Sequence, residues 1–210
     1  MERLHLIRHA EVENPHHLVY GELPGFGLSE LGRHQAEQLA EHLAECEIVA
    51  VWSSPLQRAW ETAQVMAMSH RMPVKVADDL TEWRLSRRWV GLVWDDIETQ
   101  RPGELAAYLA NPESLPFLSE TLEECAGRMT ELIEALHVRY RRGDVAIVSH
   151  QDPVQAVRLT LTGRPLSDLH NEKPTHGSVW TLTPGVPWYE VGRWQPPAQG
   201  LSFPPNRVAR

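Results

Sequence analysis

The stretch TLEECAGRMTELIEALHVRYRRGDVAIVSHQDP, residues 121–153, reads as a helix running into a buried strand and then into a second helix, and that order decides the fold class. Thr121 and Glu124 stand at capping-box spacing. Behind them Leu122, Cys125, Met129, Leu132, Ile133 and Leu136 recur at helical intervals, giving one apolar face that ends before Gly143. Residues 145–148 are too few for a helix and wholly apolar, as a strand buried on both faces should be. Asp152-Pro153 opens the next helix, and Gly163 is placed to stop it.

Outward from this unit the same alternation recurs. Residues 4–7 and 48–52 carry the strand signature. Ser29 opens a helix with Ala36, Leu39, Ala40 and Leu43 on one face, predicted to run to about residue 45. Ser54-Pro55 opens another, with Pro at the first helical position and Ala59, Ala63 and Met66 following. Residues 178–183 and 189–194 flank Pro184-Gly185 as a closing hairpin. The expected architecture is a three-layer α/β/α sandwich with a mainly parallel central sheet. The 210 residues are expected to form one domain, 1–210, with residues 82–116 lying over the sheet's edge as a cap and a proline-rich, extended tail at 195–210.

Composition narrows the partners. Twenty Lys and Arg against 28 Asp and Glu give a net charge of −8, which attracts neither nucleic acid nor an anionic membrane. Any bound anion must be held by local charge. The two cysteines, Cys46 and Cys125, fall on apolar faces of predicted helices and read as free thiols in a reducing cytoplasm. The start Met1-Glu2-Arg3 lacks a signal-peptide pattern, and no run reaches the ~18 apolar residues of a membrane span. None of the 11 histidines falls in a metal-ligand spacing, so no metal and no cofactor are expected.

Ligands of open α/β sheets bind beyond the carboxyl ends of the strands, and here those ends carry a pattern. The first strand ends in Arg8-His9, the second in Ser53-Ser54-Pro55 with Arg58 one turn later, the third in Ser149-His150. Arginine forks match phosphate oxygens, and helix starts add free N–H groups. A neutral imidazole among such donors can attack phosphorus and form a phosphohistidine.

These segments resemble the histidine phosphatase, or phosphoglycerate-mutase-like, superfamily. The residues Leu6-Ile7-Arg8-His9-Ala10-Glu11 are similar to its Arg-His-Gly signature, and residues 28–36 to the segment that follows. Residues 53–63 resemble its Ser-Pro-Leu-x-Arg-x-x-x-Thr-Ala helix start, and Ser149-His150 its second histidine. The resemblance implies a metal-independent phosphomonoester hydrolase of histidine acid phosphatase type acting on a small phosphorylated substrate. It implies His9 as nucleophile, Arg8, Arg58 and His150 as phosphoryl ligands, and Glu82 as proton donor. Asn14 and Gln151 are carried over as further substrate-binding positions. The chain departs from the family at Ala10, at Gln151 and at Trp89-Val90-Gly91, where Gly, Gly and an intervening acid are usual.

Several alternatives stand beside this reading. Asp152 is a rival acid, or simply the cap of its helix. Trp83, Trp89 and Trp94 are pocket walls or packing residues, and Arg84, Arg87 and Arg88 are either a second anion site or a solvated cluster. A phosphoglycerate-type mutase and a non-catalytic phospho-ligand binding module are the alternative functions. A homodimer is left open.

Overall fold

A computed structural model describes residues 1–197. Its six strands are β1 (Leu4–Arg8), β2 (Ile48–Ser53), β3 (Val74–Val76), β4 (Asp144–Ser149), β5 (Val179–Thr183) and β6 (Tyr189–Trp194). They form one sheet in the order β3-β2-β4-β1-β5-β6. The three pairings among β3, β2, β4 and β1 are parallel, and the hairpin β5–β6 adds two antiparallel ones at the β1 side. The sequence reading missed β3, whose three residues are too short to show a period.

Four long helices cover the two faces: α1 (Glu30–His42), α2 (Gln57–Ser69), α6 (Leu122–Arg139) and α7 (Gln151–Leu161), with three short ones, α3 (Ser86–Trp89), α4 (Ile97–Gln100) and α5 (Glu104–Ala110), between α2 and α6. Strand alternation divides the core. Leu4, Leu6, Val145 and Ile147 point to Met129, Ile133, Val154 and Val157 of α6 and α7. On the opposite face Ile7, Ala146 and Val148 meet Leu39, Ala59, Ala63 and Met66 of α1 and α2. The three layers follow from this two-sided burial.

Local signals hold at most helix ends. Ser29 Oγ accepts from the Gly32 N–H, and Thr121 with Glu124 completes a reciprocal capping box. Gly163 follows α7 at φ +69°, the left-handed conformation that glycine tolerates best. Two expectations need correction. Helix α1 ends at His42, which leaves Cys46 in a turn, half-buried and free. Helix α2 begins at Gln57, two residues after Pro55, because Leu56 has extended backbone dihedrals and stands as the cap residue itself.

Residues 82–116, expected over the sheet's edge, pack against α6 and α7. Their large side chains Trp83, Leu85, Trp89, Ile97 and Tyr108 need apolar partners and find them on Leu122, Cys125 and Ala126 of α6 and Ala156 of α7. Backbone bonds tie the segment to the loop after β1: Val19 N–H to Leu92 O at 2.8 Å, Gly91 N–H to Val19 O at 2.9 Å and Trp94 N–H to His17 O at 3.0 Å. The segment thus covers the carboxyl ends of the central strands. Of the tail expected at 195–210, residues 198–210 lie outside the described residues.

Candidate active site

The carboxyl ends of β1 and β4 are adjacent and parallel, with Arg8 paired to Ser149, so His9 and His150 leave the sheet side by side. Their ring centroids are 5.2 Å apart and both residues are buried. Arg58 arrives from the first turn of α2, itself buried against the ring of Tyr20 at 4.5 Å. Its Nη2 donates to Gly21 O at 2.9 Å, which fixes the guanidinium plane.

The tautomer of His9 follows from its neighbours. Ala10 O, an acceptor only, lies 2.7 Å from Nδ1, so Nδ1 carries the proton. Arg58 Nε, a donor only, lies 3.2 Å from Nε2, so Nε2 presents its lone pair. Burial, then the charge of Arg58, hold the ring well below the ordinary histidine pKa. His9 is therefore a neutral imidazole whose Nε2 lone pair, accepting from Arg58 Nε, faces a cluster of cations.

His150 is held from the side of α2. Ser54 Oγ accepts from the Leu56 N–H at 3.3 Å and hydrogen-bonds His150 Nε2 at 2.8 Å. The other ring nitrogen, Nδ1, is buried with no hydrogen-bond partner among the described residues. Glu82 Oε2 lies 3.8 Å from that nitrogen. Burial and the charges of Arg58 and Arg8 push this ring well below its ordinary pKa too.

Arg8 completes the cluster. Its Nη1 donates to Gln151 Oε1 at 2.7 Å and Pro174 O at 2.9 Å, and its Nη2 lies 2.7 Å from His176 Nε2. Burial and the same two arginines hold His176 at about 3. The sequence reading did not single out His176. It precedes a strand antiparallel to β1, and only that pairing brings it to within 5.5 Å of the His9 ring.

Glu82 enters from the start of the covering segment. Glu120, buried, accepts from the Arg84 N–H and from Arg128, and its carbonyl oxygen accepts from Trp83 Nε1, which anchors the turn. Desolvation, then the charge of Asp152, raise the Glu82 carboxyl to about 7, against the opposing pull of Arg58, the Trp83 N–H and Arg8.

Asp152 does not cap α7: the cap position is His150, and Asp152 Oδ2 instead accepts from the Tyr108 hydroxyl at 2.9 Å, with Lys173 Nζ 3.7 Å from Oδ1. Asn14 stands apart. Both ends of its amide are used by Leu18, with the Leu18 N–H donating to Oδ1 at 3.1 Å and Nδ2 donating to Leu18 O at 2.9 Å. Arg84, Arg87 and Arg88 are paired with Glu120, Glu22 and Glu104, which argues against a second anion site.

A cavity of about 320 Å³ opens beside the cluster and is lined by Arg8, Glu82 and Gln151 together with Trp83, Trp89 and Trp94. Among the described residues one group has metal-ligand proximity: His5, Cys46 and Asp144, whose ligand atoms lie within 4.8 Å of one another. It is at the opposite end of β1, and the two His5 nitrogens face Thr181 Oγ1 at 3.0 Å and Asp144 Oδ2 at 3.3 Å.

Comparison with known proteins agrees with this geometry. The family model for the histidine phosphatase superfamily (branch 1) matches residues 4–194. An uncharacterized protein of Mycobacterium tuberculosis is 38% identical over 180 residues, covering 78% of this chain and 80% of that one. Phosphoserine phosphatase 1 of Hydrogenobacter thermophilus is 31% identical over 169 residues, covering 80% and 79%. The structure of a mycobacterial glucosyl-3-phosphoglycerate phosphatase with VO3 superposes with a TM-score of 0.83 at 25% identity, covering 93% and 99%.

Proposed function

The chain belongs to the histidine phosphatase superfamily (branch 1), and from that premise we propose that it hydrolyses small phosphomonoesters through a phosphohistidine formed on Nε2 of His9. The observation that carries this reading is the pair of contacts on one ring, Ala10 O on Nδ1 and Arg58 Nε on Nε2, which leaves a neutral nucleophile aimed among cations.

In the first half-reaction the Nε2 lone pair attacks phosphorus, the phosphorus–oxygen bond to the leaving group breaks, and the departing alkoxide takes the proton of Glu82. In the second, Glu82 as carboxylate removes a proton from water, whose oxygen attacks phosphorus and expels His9 Nε2. Arg8, Arg58 and His150 stabilise the equatorial oxygens, with Gln151 holding Arg8 in place. Ser54 and His176 join them as positioning residues that the motifs did not reveal. Residues 82–116 serve as the cap over the leaving group.

Need for a protonated Glu82 makes the reaction acid-phosphatase-like, and the two arginines supply the positive field that a metal supplies elsewhere. The names of two relatives, a phosphoserine phosphatase and a glucosyl-3-phosphoglycerate phosphatase, support hydrolysis over transfer. Rapid alkaline quench during turnover of a radiolabelled ester should give an acid-labile, base-stable label on His9. Label on another residue, or unchanged activity in His9→Ala, overturns the mechanism.

A further inference from the structure

We infer that the leaving group this enzyme prefers is flat, apolar or aromatic, and free of any second anionic group. The inference rests on the hydrolase reading above and names the substrate class of the same site.

Three observations carry it. First, five aromatic residues, Trp83, Trp89, Trp94, Tyr20 and Tyr108, line the cavity beside the cluster. Trp83, Trp89 and Tyr108 are held rigid by core packing, whereas Trp94 is 44% exposed and stands edge-on to Trp89 at 6.3 Å. Rigid aromatic walls favour a planar guest.

Second, the charges are wrong for an acid. Among the described residues Arg8 is the only cation lining the cavity, and it belongs to the phosphoryl cluster; Glu82 and Asp152, which line it too, are carboxyls. The neighbouring cations are engaged elsewhere. Lys173 Nζ sits 3.0 Å from the Tyr108 hydroxyl and 3.7 Å from Asp152, and the cap arginines are paired with Glu120, Glu22 and Glu104. A carboxylate or second phosphate on the leaving group would face two carboxyl groups and, among the described residues, no free cation.

Third, the cavity volume of about 320 Å³ is at the small end of ligand sites, which suits one ring system and not an extended chain.

The test compares esters of primary alcohols, so that leaving-group reactivity differs little: benzyl phosphate, glycerol phosphate, O-phosphoserine and 3-phosphoglycerate, each read by phosphate release from the full-length enzyme. Benzyl phosphate should exceed the other three by at least about tenfold in kcat/KM, the equivalent of one well-made aromatic contact. Trp94→Ala, a change at an exposed side chain, should shrink that preference by about three- to tenfold. Equal turnover of all four, a preference for either acid, or a preference untouched in Trp94→Ala overturns the inference and leaves the hydrolase reading intact. No release from any of them, nor from an activated nitrophenyl phosphate, overturns the hydrolase reading itself.

Discussion

Replacing Glu82 by Gln tests the proton donor directly, because the change keeps shape and removes the titratable group. The carboxyl stands at about 7 instead of its ordinary 4.5, raised by burial and by Asp152. At pH 7 about half of the free enzyme therefore carries the acid form, whereas an ordinary glutamate would carry it in well under ~1% of molecules. A raised carboxyl is protonated below its folded pKa, so kcat/KM for an alkyl phosphate should fall as pH rises through about 7. Glu82→Gln should remove that alkaline limb and lower turnover of benzyl phosphate by roughly 10²–10⁴-fold, the range general acid catalysis supplies. Nitrophenyl phosphate, whose leaving group needs no proton, should lose far less in its first step. Asp152 is the rival, but its Oδ2 is turned to the Tyr108 hydroxyl and its Oδ1 toward Lys173 Nζ. Steady-state rates of both esters across pH 5–9 in Glu82→Gln and Asp152→Asn decide the matter. A normal Glu82→Gln beside an Asp152→Asn that selectively loses the alkyl ester would refute the assignment.

Four further outcomes are expected. Ser54→Ala removes the hydroxyl that holds His150 Nε2, and kcat should drop about five- to thirtyfold, the worth of one or two hydrogen bonds; kinetics equal to the parent would contradict it. Gly32→Ala would place a Cβ 2.0 Å from Glu11 O, so α1 must shift and urea stability should fall by about 1–3 kcal/mol; an unaltered midpoint speaks against so close an approach. Between pH 6.5 and 4.5 the unfolded chain binds protons on His9, His150 and His176 that the folded chain refuses, while the folded chain alone keeps the Glu82 proton. The histidines outnumber the carboxyl, so these four groups should lower stability with falling pH by about 3 kcal/mol per unit in that window, and a flat urea profile from pH 7 to 5 would show that these rings are not held neutral. Activity should survive exhaustive EDTA treatment, and loss restored by a divalent ion would place a metal in the reaction.

Short-range signals placed most of the framework. Helix faces, the Thr121–Glu124 box, the Ser29 cap and the apolar runs at the strands are local patterns, and each is legible because its period or spacing is set by a few neighbouring residues. The order of strand ends also put Arg8, His9, Arg58 and His150 in one neighbourhood before any coordinates, since parallel strands deliver their carboxyl ends to the same side. What the tertiary structure alone decided depends on contacts between residues far apart in the chain. His176 reaches Arg8 across 168 positions, Ser54 orients His150 across 96, and Tyr108 claims Asp152 across 44. None of these leaves a periodic trace. The same holds for the raised pKa of Glu82, which is a property of the solvent excluded around it by the cap and of a charge seventy residues away, and so exists only once the chain has folded.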